Sequence, residues 1–486
     1  MRKSIVCLML VMILVLSSFG TVVSAAQPDR TYTYDENEAV PSTNAYQVKI
    51  VVDETITGTT VMKKPTDIFV DDQDRVFVLD SGNRRVLVLN KDYHCIVELK
   101  KFSYNGEEIT LADGAQGLFF RETNEKLYIA DTENNRILVS DLKGNVSKIY
   151  EKPVDELLDP ETPYKPQKII VDNMGIMYVT SGTVNTGAMM VDSVNNFLGF
   201  YGTNKVKQTA EVMLEYLWRS ILTDAQNAKS SLSFQPVEFL NLYWTDDRFV
   251  YAVSPLSEKI EACVVKLNSL GNDVFPEPID LVTTSKAMNI TGMQLSDITV
   301  DKEGAVTVVE YKTGKLYQYD EGCNLLAVFG GIGYQKGLFA QPVSLESDSD
   351  CNLLVLDASK NNITVLEQTY YGQMIRAANY LYNEGRYQES IEPWMEVIRM
   401  NSNYSQAYVG LGKAYMSLQD YPAAMESFEL GKDKEGYGEA KAELRDERVR
   451  ENFSLIAAVV FLLMFGILGY DGIKKFASKL YWTFKK

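Results

Sequence analysis

The chain has 486 residues and sets 48 Lys and Arg against 65 Asp and Glu, a formal charge of −17. Without residues 1–26 and 471–486, 41 basic residues face 64 acidic ones, a body that repels phosphate backbones and excludes a nucleic-acid partner. A single histidine, His94, and five cysteines with no CxxC spacing exclude a histidine-rich metal centre and a disulfide-dense fold. Residues 1–26 carry Arg2 and Lys3, an apolar run from Ile5 to Leu16 and the small residues Ser24, Ala25 and Ala26, the layout of a secretory signal. An uncleaved anchor is the alternative, although the run is short for a membrane span. Residues 27–45 are polar and expected to be loose. Cys7 falls in the leader, and Cys95, Cys263, Cys323 and Cys351 are read either as four free thiols or as including one bridge such as Cys323 to Cys351.

From Tyr46 to residue 369 the chain consists of short apolar runs of strand length, rich in Val, Ile, Leu, Phe and Tyr, separated by acidic or Gly-bearing turns. Lys63–Phe102 and Ala115–Tyr150 share one layout, in which a second apolar run ends in Asp80 or Asp131 and an Asn-Arg step follows. Four strands in roughly 45–50 residues is the signature of a propeller blade. The same layout gives a third unit ending its second run at Thr180-Ser181, a degenerate fourth, a fifth, and a sixth anchored by Asp357. The sixth lacks an outer strand, which the lone segment Val48–Val52 can supply, closing the ring and removing the open edges.

These repeats, with their P-x-x-I-x-V-D and V-x-V-x-D-x-x-N-x-R-I patterns, resemble the NHL-repeat family of six-bladed β-propellers, most clearly in blades one and two. The resemblance covers about two thirds of the chain and implies a fold rather than an activity. Related propellers include lactone hydrolases (gluconolactonase-like) and a zinc lyase. The latter type uses several histidines, which this chain does not have.

Between blades three and four lies an insertion, residues 206–229, in which Met213, Leu217, Trp218 and Ile221 form an apolar helical stripe. It is read either as a helix packed on the propeller rim or as a lid or partner-binding element on the face where ligands dock. Residues 371–438 change character to Ala, Tyr, Glu and Met, and two registers of about 34 residues resemble tetratricopeptide (TPR) repeats. Asp420 is placed to cap a helix with Pro422 in its first turn, whereas Pro393 falls inside a helix and should kink it. Residues 439–452 read as a capping helix. Residues 453–470 are uncharged and read as a membrane span, and residues 471–486 as a lysine-rich cytoplasmic tail suited to anionic lipid.

The chemistry-bearing residues are sparse. Asp80, Asp131 and Asp357 recur at one turn of each blade and are expected to accept backbone N–H groups and to pair with Arg85 or Arg136. The acidic turns near Asp71, Asp172, Asp301 and Asp348 lack calcium-hand spacing and read as ordinary turn chemistry. Aligning the first residues of the innermost strands puts Asp67, Gly117, Lys168, Glu238, Asp297 and Ser344 at equivalent places. Asp67, Glu238 and Asp297 then converge with Lys168 at the channel mouth, where a divalent cation or a polar ligand could bind. No cofactor is otherwise called for. The expected architecture is therefore an NHL-type propeller, a short TPR module and one transmembrane helix, in a single-pass protein whose body lies outside the cytoplasm. The expected role is binding and scaffolding of protein partners, which the resemblance extends to service beside a carbohydrate transporter. The alternative is a metal-dependent lactonase acting at the channel mouth.

Overall fold

The computed structural model describes residues 32–35, 38–155, 158, 161, 163–182, 184, 186–202, 238–256, 262–279, 281 and 293–483. The leader and the insertion with Met213, Leu217, Trp218 and Ile221 lie outside the described residues. The chain divides into two units after Gln373.

The first unit is a six-bladed β-propeller. Blade one is built from Asp67–Val70, Val76–Asp80, Arg85–Leu89 and Cys95–Leu99, each strand pairing antiparallel with the next. Blade two follows the same order through Gly117–Arg121, Lys126–Asp131, Arg136–Ser140 and Val146–Tyr150. Blade three runs from Pro166–Val171 to Phe197–Tyr201 and blade five from Leu295–Val300 to Leu325–Gly330. Blade four has three strands among the described residues, Asn241–Trp244, Val250–Val253 and Val264–Leu267. Blade six takes three strands from Pro342–Gln368 and its outer strand from Tyr46–Val52. The N-terminal strand thus closes the ring as its composition suggested, and the six inner strands contact one another in an unbroken circle.

The second strands are buried, wholly so in Val76–Asp80 and Leu353–Asp357, and in blade two from Leu127 onward. This is why the apolar runs are continuous there rather than alternating. Within the segment expected to be loose, Tyr32–Asp35 and Glu38–Pro41 instead pair as antiparallel strands and join the outer edge of blade five through Tyr32 and Val328. That edge would otherwise offer unpaired backbone groups. Cys95, Cys263, Cys323 and Cys351 are free thiols.

The repeated acids behave as turn locks. Asp80 accepts the Lys63 N–H at 2.7 Å and the Arg85 Nε at 2.6 Å, and Asp131 accepts Ala112 N–H and Arg136 Nε, both at 2.8 Å. Asp357 accepts from Ala340 and Gln341, and Glu310 takes the same part in blade five through Gln294, Lys312 and Thr313. Each lock ties a second strand to the segment arriving from the preceding blade. At the opposite ends of the inner strands, Asp71, Asp172, Asp301 and Asp348 each accept the N–H groups two and four residues ahead. These are Asx turns, as the sequence indicated.

The second unit is helical. Helix α1 (Tyr370–Asn383) spans the boundary, and α2 (Tyr387–Met400), α3 (Ser405–Ser417), α4 (Tyr421–Leu430) and α5 (Lys434–Glu451) follow. From α2 onward each helix packs on the next. Glycine makes these crossings close: a Cβ on Gly410 would lie 2.5 Å from the Trp394 ring, and one on Gly412 would lie 2.7 Å from the Phe428 ring. Asp420 caps α4 through the Ala423 N–H at 3.2 Å, with proline in the first turn. Helix α2 runs unbroken through Pro393. Helix α5 starts at Lys434 rather than 439, because Asp433 supplies its cap through the Gly436 N–H at 3.0 Å.

Helix α6 (Phe453–Thr483) is the one described helix long and apolar enough to cross a membrane, over Phe453–Ser478 with mean hydropathy 2.4. It does not end at Tyr470. Of the residues expected to form a separate tail, 471–483 continue the same helix, since no Pro interrupts it.

Candidate functional site: the channel ring

The inner strands place one residue per blade in register with the residue just before each turn lock. Asp67 pairs with Leu79, Gly117 with Ala130, Lys168 with Thr180, Asn241 with Val253, Asp297 with Val309 and Ser344 with Leu356. In blades three, five and six a bulge immediately precedes this position, at Pro166/Lys168, Leu295/Asp297 and Pro342/Ser344. Such a bulge bends the strand and re-aims the side chain that follows.

The result is a buried polar ring. The Lys168 ammonium of blade three contacts Asp67 Oδ1 of blade one, and their side chains are only 12% and 4% exposed. Asp67 Oδ2 accepts the Leu118 N–H of blade two at 2.8 Å. The Ser344 hydroxyl of blade six stands 2.9 Å from Asp67 Oδ1 and 2.7 Å from Asp297 Oδ2, and it accepts the Ile68 N–H at 3.2 Å. Asp297 also accepts the Asn241 side-chain amide, the Ile298 N–H and the Leu345 N–H, the last two at 2.8 Å. Every blade therefore contributes to one hydrogen-bonded cluster. Glycine stands in the blade-two place because a Cβ on Gly117 would lie 2.1 Å from the Gln167 carbonyl oxygen.

Two residues further along the same strand faces lie Thr299 and Glu346, both buried, with Thr299 Oγ1 3.5 Å from the Glu346 carboxyl. Among the described residues the channel thus brings together three carboxyl groups, on Asp67, Asp297 and Glu346, and the Lys168 ammonium. Burial pushes Asp297 up to about 6, with Lys168 opposing and Asp67 reinforcing the shift. Glu346 is held well above the usual carboxyl range by burial, then by Asp297 and Asp67. Burial alone would lower Lys168, but Asp67 and Asp297 outweigh it and hold the ammonium above its usual value. Ser344 has one hydroxyl proton to offer the two carboxyl groups it touches, on Asp67 and Asp297.

Three of the four residues expected at the channel mouth, Asp67, Lys168 and Asp297, belong to this ring. Glu238 does not. It stands three residues before the inner strand of blade four, half-buried, its carboxyl raised by burial, and Asn241 takes the ring position. The signal that identifies Asn241 is the fixed offset from the turn. The ring residue lies four before Asp71, Asp172, Asp301 and Asp348, and four before Thr245 in blade four. Glu346 lies two before Asp348, on the same strand face as Ser344.

Among the described residues no group of three or more His, Cys, Asp or Glu side chains is placed to hold one metal ion. Between Asp67 and Asp297 the positive charge is supplied by Lys168. His94, the sole histidine, is exposed on an outer turn of blade one.

No protein-family model matches the chain, and no curated protein matches it. Solved structures similar to it include virginiamycin B lyase from Staphylococcus aureus (12% identity, TM-score 0.40, 66% of this chain and 99% of that one). A streptogramin B lyase is similar at 11% identity and TM-score 0.40, over 70% and 93% of the two chains. A protein of unknown function from Bacteroides thetaiotaomicron is similar at 12% identity and TM-score 0.39, over 70% and 90%. At these levels the likeness concerns the propeller architecture alone.

Proposed function

We propose that the chain is a membrane-anchored, extracytoplasmic binding and scaffold protein that serves as an accessory to a solute transporter of the carbohydrate type. The observation that carries this reading is the channel ring. Its charged groups are buried and bonded to one another across the blades, an arrangement that stiffens a binding platform. The NHL-type propeller presents that rigid platform, the TPR-type helices offer a partner surface, and α6 holds both at the bilayer.

Orientation rests on the leader rather than on flanking charge. Lys434, Lys441, Arg445, Arg448 and Arg450 lie within twenty residues before Phe453, matching the five lysines after Tyr470. The basic end of α6 is the surface for anionic lipid. Photo-crosslinking from exposed propeller positions such as Val154 and Tyr334 in native membranes tests the role. Recovery of transporter subunits is the expected result, and cross-links confined to the chain itself would refute it.

A second reading, a lactonase-like hydrolase, is favoured by one feature: Asp297 is held near 6, where a carboxyl works as a general acid or base. A divalent ion in the channel belongs to that reading, but Asp67 is paired with Lys168 and Asp297 with Ser344 and Asn241, a set that does not fit a metal. Hydrolysis of sugar lactones that is lost in Asp297→Asn would establish it.

A further inference from the structure

Among the described residues blade four begins a fourth strand at Asp273 that goes no further than Val274. Asp273 bridges to Leu267, and the Val274 N–H donates to the Lys266 carbonyl at 2.8 Å. Pro276 and Pro278 then follow, and proline has no N–H to continue a ladder. Toward blade five this leaves a cleft of about 490 Å³. Phe249, Val274, Phe275 and Pro276 form its apolar wall, and Lys266, Asn268 and Glu321 its polar part.

The wall is built rather than incidental. The Phe275 ring meets Tyr251 edge-on at 5.8 Å, and the Lys266 ammonium lies 4.4 Å from the Phe249 ring centre and 5.4 Å from that of Tyr251. Asn268 is fixed by accepting the Leu270 and Asn272 N–H groups at 3.0 and 3.1 Å.

Among the described residues the lining charges balance, one ammonium against one carboxylate. An anionic ligand meets Glu321 and the acidic body, and a cationic one meets Lys266. What remains is an uncharged molecule with apolar faces to lie on aromatic rings and hydroxyls for an amine, an amide and a carboxylate. We propose that this cleft between blades four and five binds a neutral carbohydrate. The assignment deepens the reading of the chain as a binding protein for a solute transporter and rests on it, but the cleft is separable from the cross-linking positions.

The test uses the full chain in a sugar-free detergent, with saturation-transfer NMR and calorimetry. Maltose and cellobiose serve as neutral probes, and glucuronate and glucosamine as charged ones. The expected result is binding of at least one neutral disaccharide, weakened about tenfold by Phe275→Ala through loss of the aromatic face, with both charged sugars weaker. Val274→Arg, at a position 40% exposed, blocks the cleft without touching the core and gives the same loss in a protein with an unchanged thermal midpoint. Absence of binding by both neutral probes, preference for a charged one, or binding untouched by Val274→Arg overturns the assignment. Failure here with transporter subunits still cross-linked removes the cleft and leaves the scaffold role. Failure of the cross-linking with sugar still bound does the reverse.

Discussion

Lys168→Met is the substitution that most sharply probes the channel ring. It keeps the length of the side chain and removes the one ammonium that faces Asp67, Asp297 and Glu346. The Lys168 and Asp67 side chains are 12% and 4% exposed, so solvent screens little of their interaction. Removing one partner of a pair this buried leaves the other without compensation, at about 3–5 kcal/mol. An exposed pair such as Arg386–Glu389 is screened by solvent and contributes far less. Denaturant unfolding followed by the fluorescence of Trp244, on the inner strand of blade four, reads the loss. Adding Asp67→Asn to Lys168→Met takes away the stranded charge while keeping an acceptor for the Leu118 N–H, and should recover most of the stability, since a neutral replacement of a buried pair is often close to neutral in free energy. A Lys168→Met protein within about 0.5 kcal/mol of the parent, or no recovery in the double variant, would refute the reasoning.

The raised carboxyls set a pH dependence. A group whose folded value lies above its unfolded one stabilises fully below the unfolded value, and the contribution is lost as pH rises through the folded value. From Asp297 the propeller should therefore lose stability between about pH 4 and 6, and Asp297→Asn should flatten that part of a thermal-midpoint profile. The turn locks should rank by burial. Asp80→Asn takes from Arg85, whose side chain is 1% exposed, the more buried of its two carboxylate partners, leaving Glu98 alone, and should cost about 3 kcal/mol. Asp131→Asn leaves Arg136 at 21% exposure with access to water and should cost less than half as much in the same denaturant assay. Deleting residues 32–52 removes the outer strand of blade six and should open the ring, seen as rapid proteolysis within blade six under conditions where the parent is stable.

Much of this architecture is legible in the chain because a blade repeats its own chemistry. Asp80, Asp131 and Asp357 announce the second strands, and Val48–Val52 shows its role by having no blade of its own. The ring was legible where the repeat is regular, at Asp67, Lys168, Asp297 and Ser344. It failed at Glu238 because blade four lacks the aspartate that marks the turn. There Thr245 closes the turn through its hydroxyl, 3.1 Å from the Phe249 carbonyl, and the count from the turn leads to Asn241. The Thr299 and Glu346 pair was not read because alternation along an inner strand shows a shared face but not which faces meet across a channel. The strands Tyr32–Asp35 and Glu38–Pro41 were missed because their pairing partner, Val328, lies almost three hundred residues away. The extension of α6 beyond Tyr470 was missed for a local reason: charged residues end an apolar run without ending a helix.

The account depends most on the side of the membrane occupied by the propeller. Protease added to sealed right-side-out vesicles carrying the full chain decides it, with antibodies to the propeller and to the lysine-rich C-terminus as readouts. The account predicts that the propeller is digested and the C-terminal fragment survives until the vesicles are opened. A protected propeller with only the C-terminus trimmed would contradict it.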